Sequence, residues 1–493
     1  MTFGISDKKA VSHASLWLFL GQVLSQLLRL GSNLVLVRLL YPDAFGLMAL
    51  MNSFLLGLQM CSDAGVSQRV IQSERGDDPE FLNTVWTTQA VRGILLCLIS
   101  VGLAWPLSRF YGEPRLAVYL PVLGFCLLMA GFNATSLLTL RRHLQFKKLF
   151  LLDLAEQLAG SGMMILWACW NPSATALVAG SLTAYAVRLT GTHFFLGKPA
   201  NRFHWDRRSA RGIYDFGKWI FVSSGLTFLA AQGSRLLLGK LAPLEVLGIF
   251  SIAMMLATIP FDLASKFSEM VIFPLFSREA RTSFDGLTRR VYQTRKFLWP
   301  LFMFAVLTLA LGSGLFFHVF YPAAYREAGW MSQFLALWVW FSMLQMTMDR
   351  ALLALGSTSR LALSNFVKLT VSLGGAFLGY EGAGMKGFIL GLVGGAFAAY
   401  AVILFFFPGN RLLFLKQDLR YTFCGAGIVS LLFLLEKEFP SAAFPASLVV
   451  WGGVGVWTVQ RIISQFLLRR PILWKKKIQQ RLAWSSLTTA PQI

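Results

Sequence analysis

Apolar runs of membrane-crossing length recur along the whole chain, separated by short polar breaks. A helix needs about 20 mostly apolar residues to cross the ~30 Å hydrocarbon core of a bilayer. Runs of this kind fall at 14–40, 44–66, 86–108, 116–140, 149–170, 174–196, 218–241, 245–270, 297–320, 328–349, 361–380, 384–407, 421–436 and 443–467. The pattern predicts an all-α polytopic membrane protein with about fourteen transmembrane helices. The first run continues to Leu40, too long for a cleaved signal, and reads as the first transmembrane helix. Trp86, Tyr111, Trp170, Trp219, Tyr321, Trp330 and Trp474 lie near predicted helix ends, as an interfacial aromatic belt requires.

A short motif repeats. RLLYPDAFG, from Arg38 to Gly46, returns as KLAPLEVLG, from Lys240 to Gly248. Cation, acid and glycine keep their register: Arg38 with Lys240, Asp43 with Glu245, Gly46 with Gly248. The stretch around Tyr111 and Arg115 likewise resembles that around Tyr321 and Arg326. An even number of helices between the copies gives both halves the same orientation. The expected plan is two pseudo-symmetric six-helix lobes, residues 1–200 and 201–410. Residues 411–493 add two further helices and a basic tail.

Composition agrees with a membrane protein. Of 493 residues, 56% are hydrophobic and 14% charged, against about 25% charged in soluble domains. Lys and Arg number 45 and Asp and Glu 23, leaving a net charge of +22. With the N-terminus inside, the cytoplasmic loops and tail collect about thirty basic residues and the outer loops about six. The outer ones are Arg38, Arg109, Arg115, Lys240, Arg326 and Lys437. Both termini are therefore expected in the cytoplasm, and the excess charge needs no nucleic acid to explain it. The basic loops are expected to touch anionic membrane lipids.

Enzyme chemistry finds no foothold. Cys61, Cys97, Cys126, Cys169 and Cys424 sit in or beside apolar runs without a CxxC, the pattern of packed small residues. No HExxH or GxSxG occurs. The stretch Gly191 to Lys198 misses the P-loop spacing and is followed by Pro199. No metal and no cofactor is expected. Gly375, Gly379, Gly387, Gly391 and Gly395 carry GxxxG spacings that read as close helix packing.

Polar residues inside the apolar runs are the informative ones, because a cation in hydrocarbon costs at least ~2.5–3.5 kcal/mol. Gln22, Ser25, Gln26, Arg29, Ser32 and Asn33 form one stripe along the first helix. Arg29 lies deep in that run with no acid on the same face. Arg235 in the seventh helix, and Asn365 and Lys368 in the eleventh, are weaker candidates for a cavity. Arg92 and Arg188 stand nearer helix ends, where a long side chain reaches the interface. Asp63, Asp262, Lys266 and Glu269 are candidates for ion coupling or for a structural pair, with Asp262 and Lys266 spaced i, i+4. A cavity with several cations and few acids suits phosphate or pyrophosphate, and the amides and hydroxyls beside them suit a sugar.

Four blocks in order carry a family resemblance. They are LVRLLYPDAFGLMAL (Leu36 to Leu50) with DAGVSQRVIQ (Asp63 to Gln72), LRRHLQFKKLFLLDL (Leu140 to Leu154), SRLLLGKLAPLEVLGIFSIA (Ser234 to Ala253), and FPLFSRE (Phe273 to Glu279). Over roughly residues 10–410 the chain resembles the oligosaccharide flippase family, the Wzx-type polysaccharide-transport branch of the multidrug/oligosaccharidyl-lipid/polysaccharide exporters. It departs from the family pattern at Ser234 and Phe250. The resemblance implies a V-shaped pair of lobes around a central cavity and alternating access. The implied cargo is a polyprenyl-pyrophosphate-linked oligosaccharide of the undecaprenyl type, moved across the bacterial cytoplasmic membrane. Exopolysaccharide, capsule or O-antigen synthesis is the implied setting, with a polysaccharide polymerase and export machinery as partners of a monomeric flippase. In that reading Arg29, with Arg235 and Lys368, holds the pyrophosphate. A multidrug-type antiporter of small cations is the alternative, and it calls for carboxylates at the cavity centre.

Overall fold

Within a bilayer no water satisfies an exposed N–H or C=O, so a chain this apolar closes its backbone bonds inside helices. Every regular element among the described residues is helical. The computed structural model describes residues 5–62, 66–143, 145–196, 201–206, 224–225, 227–407, 411–438, 452–456, 458 and 460. The first half comprises α1 (Ile5–Leu39), α2 (Pro42–Ser62), the short α3 (Val66–Gln72), α4 (Pro79–Tyr111), α5 (Arg115–Gly131), α6 (Ser136–Arg142), α7 (Phe146–Trp170) and α8 (Ala174–Phe194). The second begins with α9, residues 227–241. It continues through α10 (Leu244–Phe267), a π turn at Ser268–Ile272, α11 (Phe273–Ala280), α12 (Phe284–Phe320), α13 (Ala328–Ala354) and α14 (Thr358–Phe406). α15 (Arg411–Glu438) follows.

Six of the described helices are long and apolar enough to cross a membrane, and α5 with α6 makes a seventh if that bent pair is one span. The expected single span at 116–140 is in fact broken there by 57°. The break is held by α8: the Thr192 hydroxyl accepts from the Ala134 N–H, and Ser136 donates to the Thr192 carbonyl. The two runs at 361–380 and 384–407 appear as the arms of α14, which turns at Ala383 and Gly384. Gly384 has φ of +60°, a conformation that favours glycine. The arms then meet at Gly379 and Gly387, so close that a Cβ on Gly379 would lie 2.2 Å from the Gly387 carbonyl oxygen. This is the close packing that the glycine spacing predicts. The run at 443–467 falls mostly outside the described residues.

Helices adjacent in sequence pack as neighbours, α4 on α5, α7 on α8, α12 on α13 and α13 on α14. The halves are joined chiefly by α2 against α10, with α1 touching both α7 and α10. The two copies of the repeat meet at this joint. A Cβ on Gly46 would lie 1.9 Å from the Leu244 carbonyl oxygen, and one on Gly248 1.9 Å from that of Pro42. Only hydrogen fits at either position, so the first turns of α2 and α10 cross at backbone contact. One buried apolar cluster runs continuously from Leu36 of α1 to Phe414 of α15.

α15 is fastened by charge. Arg295 of α12 is fully buried and pairs with Asp418 at 2.8 Å. Trp299 Nε1 donates to the same carboxylate at 2.9 Å, and Tyr400 donates to it from α14. The guanidinium also lies over the Trp299 and Phe414 rings, 4.6 and 5.4 Å from their centroids.

Two outcomes follow from this packing. Gly46→Ala or Gly248→Ala should lower stability by about 3 kcal/mol, the upper end of overpacking costs, since the obstacle is backbone. Thermal unfolding in detergent reads this, with Gly102→Ala as the control, because a Cβ there meets nothing within 4 Å. Asp418→Ala should cost about 3–5 kcal/mol by stranding the buried Arg295 charge, measured in the same assay.

Candidate functional site

α1 has two faces. Leu24, Leu27 and Val35 are exposed on one. At 100° per residue, Gln22, Gln26, Arg29 and Asn33 lie on the opposite one. That face is largely engaged. Ser25 and Gln157 of α7 bond reciprocally: Ser25 Oγ donates to Gln157 Oε1 at 2.5 Å, and Gln157 Nε2 to the Ser25 carbonyl at 2.8 Å. Gln26 is 6% exposed and its Nε2 donates to Asp262 Oδ2 of α10 at 3.1 Å. Asn33 Oδ1 accepts from the Tyr321 hydroxyl at 3.4 Å. Gln22 is half-buried on the same stripe. Arg29, between Gln26 and Asn33, is exposed, and no side chain among the described residues bonds to its guanidinium. Arg29 thus lies in the sector of α1 between its contacts to α7 and α10, without being covered by them.

The other sequence candidates are placed differently. Arg235 is half-buried and donates to Gln232 Oε1 at 2.8 Å, which also accepts from Ser53 of α2 at 3.0 Å. Lys368 donates to Gln345 Oε1 at 3.1 Å and lies 5.8 Å from the Trp338 ring centroid, inside the second half. Asn365 is exposed one turn away. Lys266 pairs with Glu269 at 3.5 Å, both half exposed. The i, i+4 pairing of Lys266 with Asp262 is replaced by this i, i+3 pair, which frees Asp262 for Gln26. Asp63 lies outside the described residues.

Arg188 does not reach for the interface as its position near a helix end suggested. It pairs with Asp153 at 3.0 Å and with Glu156, both on α7. Arg92 donates to Ser62 Oγ at 2.8 Å and to the Gln59 carbonyl at 2.7 Å. Arg92, Glu156 and Arg188 line a cavity of 440 Å³ in the first half, with Gln59, Gln89, Asn133 and Tyr185. The sequence reading missed Glu156 and Asp153 as partners. The signal was available: i, i+3 acids on one arm of an α7–α8 hairpin and a cation on the other.

The halves touch through reciprocal contacts at the ends of α4 and α12. The Tyr111 hydroxyl donates to the Leu236 carbonyl at 3.3 Å, while its repeat counterpart Tyr321 reaches Asn33. Tyr325 donates to the Leu40 carbonyl at 2.8 Å, and Lys240 to that of Phe110. Nearby, Arg115 pairs with the repeat acid Asp43 at 2.9 Å and with Glu113 at 2.7 Å. The guanidinium holds the Glu113 carboxyl below the usual carboxylate range.

Comparison with known proteins fits this geometry. A family model described as polysaccharide biosynthesis protein matches residues 35–328. The lipopolysaccharide biosynthesis protein WzxC of Escherichia coli K12 is 23% identical over 273 residues, 55% of this chain and 55% of that protein. The succinoglycan biosynthesis transport protein ExoT of Rhizobium meliloti is 24% identical over 283 residues, 56% of each. The chain thus matches about half the length of these curated relatives. In fold it is similar to the lipid II flippase MurJ in an inward closed conformation, with a TM-score of 0.68 and 13% identity over 92% of this chain and 99% of that one. It is also similar to an inward-facing multidrug resistance transporter of the MATE family, with a TM-score of 0.59 and 15% identity over 80% of this chain and 94% of that one. With more than half of its length matched, this multi-span membrane chain belongs to the polysaccharide biosynthesis protein family.

Proposed function

We propose that the protein moves a polyprenyl-pyrophosphate-linked oligosaccharide from the inner to the outer leaflet of the bacterial cytoplasmic membrane by alternating access. The carrying observation is Arg29, an exposed guanidinium without a described partner on the packed face of α1. A guanidinium in such a place binds a phosphate oxygen pair bidentately. Arg235 and Lys368 are secondary contributors, each already holding an amide oxygen. Gln22, Asn33 and Asn365 supply amides for sugar hydroxyls. The polyprenyl chain stays in lipid while the head group occupies the cleft.

In this reading residues 1–200 and 201–410 are the two six-helix lobes of a fourteen-helix protein, and residues 411–493 are an appendage. Both termini are cytoplasmic. The reciprocal tyrosine contacts and the Gly46–Gly248 joint then lie at the outer side and hold it closed, leaving the cleft open to the cytoplasm. Rocking about that joint exchanges access. The relatives named for lipopolysaccharide and succinoglycan biosynthesis support a glycan cargo, and the fold shared with a lipid II flippase supports a lipid-linked one. The same fold also serves multidrug transporters. A cationic drug, however, is repelled by the Arg29 guanidinium, the exposed cation on this face without a described partner.

Arg29→Ala should cut transport about 10- to 100-fold, the equivalent of a lost charge-assisted contact of ~1.5–3 kcal/mol. Protein level and unfolding temperature should change little, since Arg29 is exposed and no described side chain bonds its guanidinium. Flipping of lipid-linked oligosaccharide in proteoliposomes measures this, and an unchanged rate overturns the assignment. For orientation, single cysteines at Arg115 and Arg281 should react with a membrane-impermeant thiol reagent in whole cells at position 115 and not at 281.

A further inference from the structure

The Gln26–Asp262 bond is a cross-half contact set one helical turn from Arg29. It ties α1 to α10, and its donor is almost fully buried. The cations acting on the Asp262 carboxylate are Arg29 and Lys266. Lys266 is engaged by Glu269, which leaves Arg29 as the cation facing Asp262 without another partner. No ion pair within 4.0 Å joins the two. The carboxylate is thus bonded to an amide of the opposite half that lies one turn of α1 from the guanidinium.

The backbone around Asp262 is built to bend. Pro260 lies within α10, two residues before it, and has no N–H for the preceding turn. The π turn Ser268–Ile272 follows, closed by the Phe273 N–H on the Ser268 carbonyl. Prolines and π turns are where long helices kink. Asp262 therefore sits between two irregular points of the helix that joins the halves.

Resting on the flippase reading above, we propose that Asp262 is a positioning residue that couples cargo to movement. It competes with the cargo's pyrophosphate for the field of Arg29, and an anion arriving there breaks the Gln26–Asp262 bond. The physical reason is like-charge repulsion at a half-buried carboxylate, where two negative groups a few Å apart repel more strongly than in bulk water. The released Gln26 amide turns to the phosphate oxygens, α1 and α10 lose their polar tie, and α10 bends at its two irregular points. Without cargo the bond stays closed and the halves do not rock, so empty cycles are suppressed. The acid inside a cationic cleft thereby acquires a role: it weakens binding so that binding does work on the protein.

The test is a double-mutant cycle on the full chain in nanodiscs. Binding is measured with undecaprenyl pyrophosphate, undecaprenyl phosphate, undecaprenol and inorganic pyrophosphate. Asp262→Asn keeps an acceptor for Gln26 and removes the charge. It should tighten undecaprenyl pyrophosphate binding about tenfold, the monophosphate less, and undecaprenol not at all. In flipping assays the same variant should lower both the half-saturating concentration and the maximal rate. Arg29→Ala should weaken pyrophosphate binding at least tenfold, and adding Asp262→Asn to it should restore nothing. Inorganic pyrophosphate shows whether the head group suffices: an Asp262→Asn gain of similar size supports a purely electrostatic competition, and no gain overturns it. A gain equal for charged and neutral lipids, or no gain, also overturns the proposal while Arg29→Ala still confirms the pyrophosphate reading. If Arg29→Ala leaves affinity intact, that reading falls instead. Should Asp262→Asn fail to accumulate, Asp262→Ser is read by the same criteria.

Discussion

The backbone contact between Gly46 and Gly248 is the constraint on which the rest of the protein hangs. In hydrocarbon, apolar side chains gain nothing by leaving lipid for protein, so helices associate through close packing and polar contacts. Two glycines that admit no Cβ bring α2 and α10 together at their first turns, and the halves meet there. Asp43, three residues before Gly46, is held by Arg115, which sets the loop that leads into α5. Tyr325 reaches across to Leu40, two residues before α2, and packs edge-on against Phe45. The conserved register of cation, acid and glycine in the two repeat copies thus has a physical meaning: each copy is half of one joint.

The polar groups fall into two kinds. Arg295 with Asp418, Trp299 and Tyr400 is a buried network that fastens α15 to α12 and α14. Arg188 with Asp153 and Glu156 closes the α7–α8 hairpin. In both, charge is cancelled locally and the result is rigidity. Arg29 belongs to the other kind, a charge with space beside it and an acid near but not on it. Function is read from that contrast. The cavity in the first half, despite its two arginines, has their charges engaged by neighbours.

The contacts around the α2–α10 joint and the contact between α1 and α10 differ in character. The former rest on glycine backbone contact and on hydroxyl-to-carbonyl bonds, which no ligand anion disturbs. The latter, Gln26 with Asp262, rests on a carboxylate. In the proposed mechanism the first is the joint that persists and the second the tie that yields.

Much of this was legible in one dimension. Apolar run length predicts the helices because the hydrocarbon thickness sets it, and the repeat RLLYPDAFG/KLAPLEVLG marks the joint because the same backbone crossing needs the same glycine twice. The 3.6-residue period of Gln22, Gln26, Arg29 and Asn33 places them on one face of α1 without any tertiary information. What the period does not contain is what lies opposite. That Lys266 takes Glu269 and not Asp262, that Arg188 is neutralised by two acids of α7, and that Lys368 is drawn to Gln345 were decided by which helices pack together. The break between α5 and α6 was decided by Thr192, 58 residues from Ala134. Local sequence sets length, period and charge because these are properties of a single helix and the bilayer. Partnership depends on distances between helices, so only the tertiary structure distinguishes the spent cations from Arg29.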